Sequence, residues 1–247
     1  MPSIDWNRRV WDSPESWVAS GDEWTFHARA CGRPYTEWKE SVVVTFIDPY
    51  VGPEVDLLEL GPGHGRWTEF MADRVRSLTL VDLNPSCIDA CREKFQQRDF
   101  ARSPILSFIA NDGRSLPVPD ESIDMIWSFG SLVHIDKREI DSYLAEFQRV
   151  LRPGGQFFAH HAGWSSGTPV LAPLTNRMGK VGRVARNRLA QGQWRNTLDR
   201  SAMSAGRFRK LASHHGLSVN RQLRRWGDHD QYGLAVRDVV SIGSRSQ

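Results

Sequence analysis

Residues 55–67, Val-Asp-Leu-Leu-Glu-Leu-Gly-Pro-Gly-His-Gly-Arg-Trp, decide how the chain is read. The apolar run from Val55 to Leu60 suits a strand buried on both faces, as in a parallel sheet covered by helices. It leads directly into a loop with glycine at 61, 63 and 65. Alternate glycines let the backbone turn sharply and approach a ligand closely, because no Cβ intervenes. A helix over about 67–74 is expected next, its free N–H groups aimed over that loop.

Outward from this stretch, strand patterns recur at 77–82, 105–110, 123–129 and 156–161. Helical patterns lie between them, at 86–97 and, with Ile140, Tyr143, Leu144, Phe147 and Val150 on one face, at 138–151. Strand–helix alternation predicts an α/β doubly wound, Rossmann-like parallel sheet with right-handed crossovers. Upstream, residues 1–34 are rich in tryptophan and read as a lid. Residues 35–48 read as a helix with Trp38, Val42, Thr45 and Phe46 near one face, before Pro49 and Pro53 break the chain. The expected division is therefore an N-terminal lid over 1–48 and a main domain over 49–247, with a helical cap inserted at about 163–205.

Hydrophobic residues are 40% and charged residues 25% of the chain, ordinary values for a globular protein. The first residues lack the apolar core of a signal peptide, and no run approaches the roughly 20 apolar residues of a membrane span. Cys31, Cys87 and Cys91 make no disulfide framework; Cys87 and Cys91 read as buried small hydrophobes, and a cytoplasmic location is expected. Charge is uneven. Residues 176–225 hold 13 Lys/Arg against the single acid Asp199, on an otherwise acidic body. Such a block points to an anionic or phosphorylated substrate or a membrane surface, with a solvated cap as the plain alternative.

The dinucleotide fingerprint G-x-G-x-x-G does not fit, because the third glycine comes one residue early, at Gly65. The arrangement Glu59-x-Gly61-x-Gly63-x-Gly65 resembles motif I of the class I S-adenosylmethionine (SAM) methyltransferases. The resemblance runs from Val55 to about Ala162 and includes the Leu-Arg-Pro-Gly-Gly turn at 151–155. It implies a seven-stranded sheet finished by an antiparallel hairpin, for which 217–226 and 238–244 are available. It also implies SAM as cofactor, lined by Glu59, Gly61, Gly63, Gly65, Trp67, Leu83, Gly113 and Ser128. Asp82, at a strand end, would take the ribose hydroxyls, although such an Asp can also cap the next helix. Asp112 would take the adenine amino group, although Asp-Gly is also an ordinary turn. More particular segments, at 63–68, 128–134 and 160–161, are similar to bacterial methyltransferases acting on sugar hydroxyls, such as the mannoside O-methyltransferases of mycobacterial methylmannose polysaccharide.

A sugar hydroxyl is a poor nucleophile at neutral pH and benefits from a positioned base, most often histidine. His134, His160 and His161 fall at expected carboxyl ends of strands, where ligands bind in open α/β sheets. His134 is the first candidate for base and His161 the second. Alternatively, Asp136 with His160 and His161 would hold a divalent cation such as Mg²⁺. Trp24, Trp38, Trp164 and Trp194 are candidates to stack on sugar rings of an oligosaccharide or glycolipid, against the plainer reading of core packing. Rival readings are an RNA methyltransferase, disfavoured because Ser128-Phe-Gly-Ser131 replaces the usual Asn/Asp-Pro-Pro-aromatic tetrad, and a SAM-binding module without catalysis.

Overall fold

Neighbouring leucines of the first strand point into different cores. A computed structural model, which describes residues 3–13, 16–17, 25–163, 200–235 and 238–247, buries Leu57 on one face of the sheet and Leu58 on the other. The same alternation puts Met125, Trp127 and Phe158 on the first face, and Ile126, Phe157 and Ala159 on the second. Side chains of successive strand residues project to opposite faces, so a continuous apolar run serves two cores at once.

The sheet has seven strands in the order β3-β2-β1-β4-β5-β9-β6. Strands β1 (Asp56–Leu60), β2 (Ser77–Asp82), β3 (Ile105–Ala110), β4 (Ile123–Ser128) and β5 (Leu151–His161) run parallel. Strand β9 (Val239–Arg245) is antiparallel to both β5 and β6 (Leu217–Leu223), giving the expected terminal hairpin. Between these two, β7 (Arg225–Trp226) and β8 (Tyr232–Gly233) form a separate two-stranded ribbon. The order reverses between β1 and β4, and that switch point opens a crevice at the carboxyl ends of the strands.

Helices α6 (Lys137–Val150) and α7 (Ala205–His214) cover the second face through Ile140, Leu144, Phe147 and Phe208. Helix α5 (Pro85–Phe95) covers the first face through Ile88, Cys91 and Phe95. The segment after the glycine loop is shorter than expected: α4 (Thr68–Met71) is one turn, followed by a 3₁₀ turn at Ala72–Arg74. Strand β5 begins earlier than expected, and its register to β4 shifts between the Ile123–Leu151 and Met125–Gln156 pairs, which absorbs the Pro-Gly-Gly turn.

Before β1, α1 is Ile4–Trp11, α2 is Thr25–Cys31 and α3 is Tyr35–Val42. Helix α3 continues as a π turn, Val43–Ile47, which rotates Phe46 and Ile47 into the core while Thr45 stays half-buried. Residues 25–50 therefore do not lie over the core as a lid; Ala28, Trp38, Val42, Phe46 and Ile47 are part of it. The cap expected at about 163–205 falls at 164–199 outside the described residues. Among the described residues no helix is long and apolar enough to cross a membrane.

Candidate functional site

The carboxyl ends of β1, β2 and β4, together with α1, enclose a cavity of about 200 Å³. Of the residues expected at the site, Gly61, Gly63, Trp67, Asp82, Leu83, Gly113, His134 and Asp136 line it. Gly61 and Gly63 have φ of +73° and +57°, a left-handed backbone that glycine adopts without steric cost. A Cβ at Gly63 would come within 2.6 Å of the Trp17 ring, which covers the loop and stacks on His64 at 4.1 Å.

Asp82 ends β2 on the cavity wall. Its two oxygens accept the Asn84 N–H at 3.0 Å and the Gly63 N–H at 3.3 Å, so it braces both the glycine loop and the entry to α5. Burial pushes its pKa up to about 6, against the pull of those amides. Glu59 lies behind the loop and does not line the cavity. It is buried, accepts the Thr68 hydroxyl at 2.6 Å, and is pushed up to about 8 by burial, with the Asp82 charge adding to the effect.

Three further expectations are redirected. Gly65 packs against Phe95 and Cys91, away from the cavity. Ser128 is fully buried and donates to the Leu60 carbonyl at 3.0 Å, tying β4 to β1. Asp112 is exposed, and its Oδ1 accepts from the Arg114 and Ser115 amides and the Ser115 hydroxyl. Asp112 itself does not line the cavity, whereas the adjacent Gly113 does.

The three histidines separate. His134 closes a 3₁₀ turn after β4, Leu132–His134, and lines the cavity. Helix α1 packs on it: the Asn7 side-chain amide donates to its carbonyl at 2.7 Å, and the Trp11 ring meets the imidazole edge-on at 5.0 Å. His161 is fully buried off the cavity, with Nδ1 at 2.6 Å from the Ala162 carbonyl, Nε2 at 2.7 Å from the Ser241 hydroxyl, and its ring stacked on Phe208. Burial lowers its pKa to about 4, so at neutral pH it is an uncharged packing residue and not a base for the cavity. His160 is equally buried, behind Gly130. The expected Asp136–His160–His161 cation set does not form. Asp136 instead caps α6, accepting the Arg138 N–H, and His160 groups with His27 and Asp238.

Trp38 is likewise no sugar platform: it is fully buried and donates to the Gly233 carbonyl at 3.0 Å. Trp24, Trp164 and Trp194 lie outside the described residues. The tryptophans that do border the cavity are Trp11, Trp17 and Trp67. Asn7, Trp11 and Ser131 escaped the sequence reading because their partners are remote: Asn7 meets a carbonyl 127 residues away, and Ser131 donates to the Gly61 carbonyl. Asn84 and Tyr143 also line the wall.

Residues 57–155 match a methyltransferase-domain family. A fatty-acid O-methyltransferase of Mycolicibacterium smegmatis is 36% identical over 103 residues, 41% of this chain and 35% of that protein. A probable phthiotriol/phenolphthiotriol dimycocerosates methyltransferase of Mycobacterium ulcerans is 34% identical over a similar span, 41% of this chain and 37% of its own. The chain thus spans about a third of the length of these curated relatives. Among solved structures, the complex between the Trm112 methyltransferase activator of Haloferax volcanii and its methyltransferase superposes with a TM-score of 0.58 at 18% identity, over 92% of this chain and 97% of that one. By sequence over residues 57–155 the chain is thus similar to methyltransferase domains, and the fold around them is the α/β Rossmann-like fold of solved methyltransferases.

Proposed function

We propose that the protein transfers a methyl group from SAM to a hydroxyl of a sugar or glycolipid acceptor, with His134 as general base. The observation that carries this reading is the placement of His134 on the same cavity wall as Asp82, Leu83 and the glycine loop. Asp82 would hold the ribose hydroxyls, Leu83 and Gly113 the adenine, and Gly61 and Gly63 the close backbone approach. When bound, the cofactor supplies an electrophilic methyl carbon on a sulfonium.

The chain's own contribution is alignment and proton handling. A ring nitrogen of His134 takes the hydroxyl proton as the oxygen becomes nucleophilic. Helix α1 and Trp17 exclude water from that face through Ile4, Trp11 and the Trp17 ring. Exposed Arg207, Arg209 and Lys210 on α7, with Arg221, offer an anionic substrate or lipid surface a set of basic side chains. Arg200 is not free for that role, because it is bonded to Asp238.

A second reading has a specific motive: the apolar wall formed by Ile4, Trp11, Leu83 and Ile135, together with the relative named for fatty acids, suits a fatty-acid carboxylate. The two acceptors make opposite demands on His134, since a carboxylate is already ionised at neutral pH and needs no base. The test is methyl transfer from labelled SAM to oligosaccharides, glycolipids, fatty acids and RNA, by the native protein and by His134→Ala. Turnover on a sugar hydroxyl that falls at least about 100-fold in the variant supports the proposal. Turnover on fatty acid that survives the substitution replaces it with the second reading, and turnover on RNA alone overturns both.

A further inference from the structure

The atoms of His27, His160 and Asp238 that could ligate a metal lie within 4.8 Å of one another, all three side chains buried. The group sits directly behind the cavity wall. His27 comes from α2, His160 from the end of β5, and Asp238 from the residue before β9. Two backbone amides decide what this group can do. The Gly130 N–H donates to His160 Nδ1 at 3.1 Å, and the Ala235 N–H donates to His27 Nδ1 at 2.9 Å.

A backbone N–H can only donate, so Nδ1 of each ring must present its lone pair. A neutral imidazole with Nδ1 as acceptor carries its proton on Nε2. His160 Nε2 is 3.3 Å from an Asp238 oxygen, and the other Asp238 oxygen is bonded by the Arg200 guanidinium. Metal-bound histidines show the reverse pattern, with the non-ligating nitrogen donating to an oxygen. A cation here would displace a ring proton on each imidazole and face the fixed charge of Arg200. The residues do not fit a divalent ion.

We propose that His160 and Asp238 are positioning residues for the methyl-transfer cavity: Asp238, bonded by Arg200 and with its other oxygen 3.3 Å from His160 Nε2, holds the His160 ring by charge so that its Nδ1 anchors the Gly130 amide. Gly130 has φ +87° and lines the cavity, and Ser131 next to it bonds the Gly61 carbonyl of the glycine loop. The same turn ends at His134, whose N–H donates to the Ser131 carbonyl at 2.9 Å. The anchor therefore sets both the glycine loop and the candidate base from behind the wall. His27 joins α2 to the assembly, its ring edge-on to His160 at 5.5 Å. Burial holds both imidazoles below their ordinary pKa. Burial pushes Asp238 up, but the His160 and Arg200 contacts overcome this and keep it ionised. One ionised carboxylate beside one guanidinium and two neutral rings leaves the buried group without net charge.

The inference rests on the proposed function only for the meaning of the cavity; its test does not need an acceptor. In the native protein, ¹⁵N-resolved histidine spectra should show His27 and His160 as Nε2–H tautomers, unchanged by Mg²⁺ or Zn²⁺. An Nδ1–H tautomer at His160, or a metal-dependent shift at either ring, overturns the proposal. Two substitutions then split the ring's two contacts. His160→Asn keeps an acceptor near the Nδ1 position, whereas His160→Gln keeps a donor near Nε2 and loses the Gly130 anchor. Hydrogen exchange at the Gly130 amide should be roughly tenfold faster in His160→Gln and in Asp238→Asn, and near native in His160→Asn, the size expected for loss of one buried hydrogen bond. Unchanged exchange in both of the first two variants overturns the proposal. If the tautomers and exchange rates come out as expected while no acceptor is methylated, it is the methyl-transfer reading that fails.

Discussion

At the scale of single residues, two buried carboxylates make opposite use of the same environment. Burial raises Asp82 to about 6, so it is protonated in mildly acidic solution. Ribose hydroxyls donating to it favour the ionised form, so cofactor binding must release a proton below that pH. SAM affinity should therefore rise with pH, by up to about tenfold per unit on approaching pH 6, and level off by pH 7, with Asp82→Asn weak and flat. Isothermal titration at pH 5 and pH 7, in buffers of different ionisation enthalpy, measures both slope and proton release. A native protein with no slope and no proton release would falsify the ribose assignment. Glu59, raised from 4.5 to about 8, has the other consequence. A carboxyl group whose folded pKa is raised contributes stability fully below its unfolded value and loses it as pH rises through the folded one. Glu59→Gln keeps an acceptor for Thr68 and cannot ionise. It should melt like the native protein at pH 5 and be more stable at pH 8.5, by on the order of a few kcal/mol. Thermal melts that track each other at both pH values would show that Glu59 carries no such strain.

At the scale of elements, the glycine loop separates binding from folding within three residues. Gly65, at φ +76°, would place a Cβ 2.3 Å from the buried Phe95 ring. Gly65→Ala should cost roughly 2–4 kcal/mol, from left-handed backbone plus overpacking. Gly63 opens toward the cavity and the half-buried Trp17 ring, which can shift, so Gly63→Ala should cost only about 1–2 kcal/mol, mostly backbone, yet weaken SAM binding by at least tenfold. Melting curves and titrations on both variants check the pair, and a reversed order of the two losses would mean the loop is assigned backwards. This loop was legible in the sequence because strand, glycine spacing and helix all lie within it. So was the parallel, doubly wound sheet, since each βαβ unit follows from local alternation and the right-handed crossover. The register shift in β5 was not, because it is fixed by pairing with β4 and not by its own residues. The assembly of His27, His160 and Asp238 was also out of reach: its members are separated by more than 70 residues, and only His160 had a local reason to be singled out. His134, Asp82 and Gly63 could be singled out for the opposite reason, each lying at or soon after the end of a strand that its own pattern revealed.

At the scale of the whole molecule, the N-terminal region has two mechanical roles that its uniform richness in tryptophan conceals. Trp38 is fully buried, contacts Trp67, Phe129 and Trp226, and joins α3 to the β7–β8 ribbon through the Gly233 carbonyl. Trp17 is half-buried on the cavity rim, stacked on His64 and tilted against Trp11. A truncation at Trp38 removes core and the indole donor to the Gly233 carbonyl, so Trp38→Ala should cost about 3–5 kcal/mol. Trp17→Ala removes a cover that is half in water, so its cost should stay near or below about 1 kcal/mol while cofactor affinity changes severalfold. Chemical denaturation should thus show a large drop in midpoint for the first variant and almost none for the second, with unchanged slope in both. Titration with SAM should show the second variant altered, with the first matching native affinity wherever it remains folded. Equal destabilisation by the two would mean that α1 and the rim are as integral to the fold as α3. The cavity would then be closed by the core itself and not by a cover laid on it. A difference in the expected direction means that access to the cavity is governed by α1 and Trp17, and that residues 25–50 hold the wall against which that cover closes.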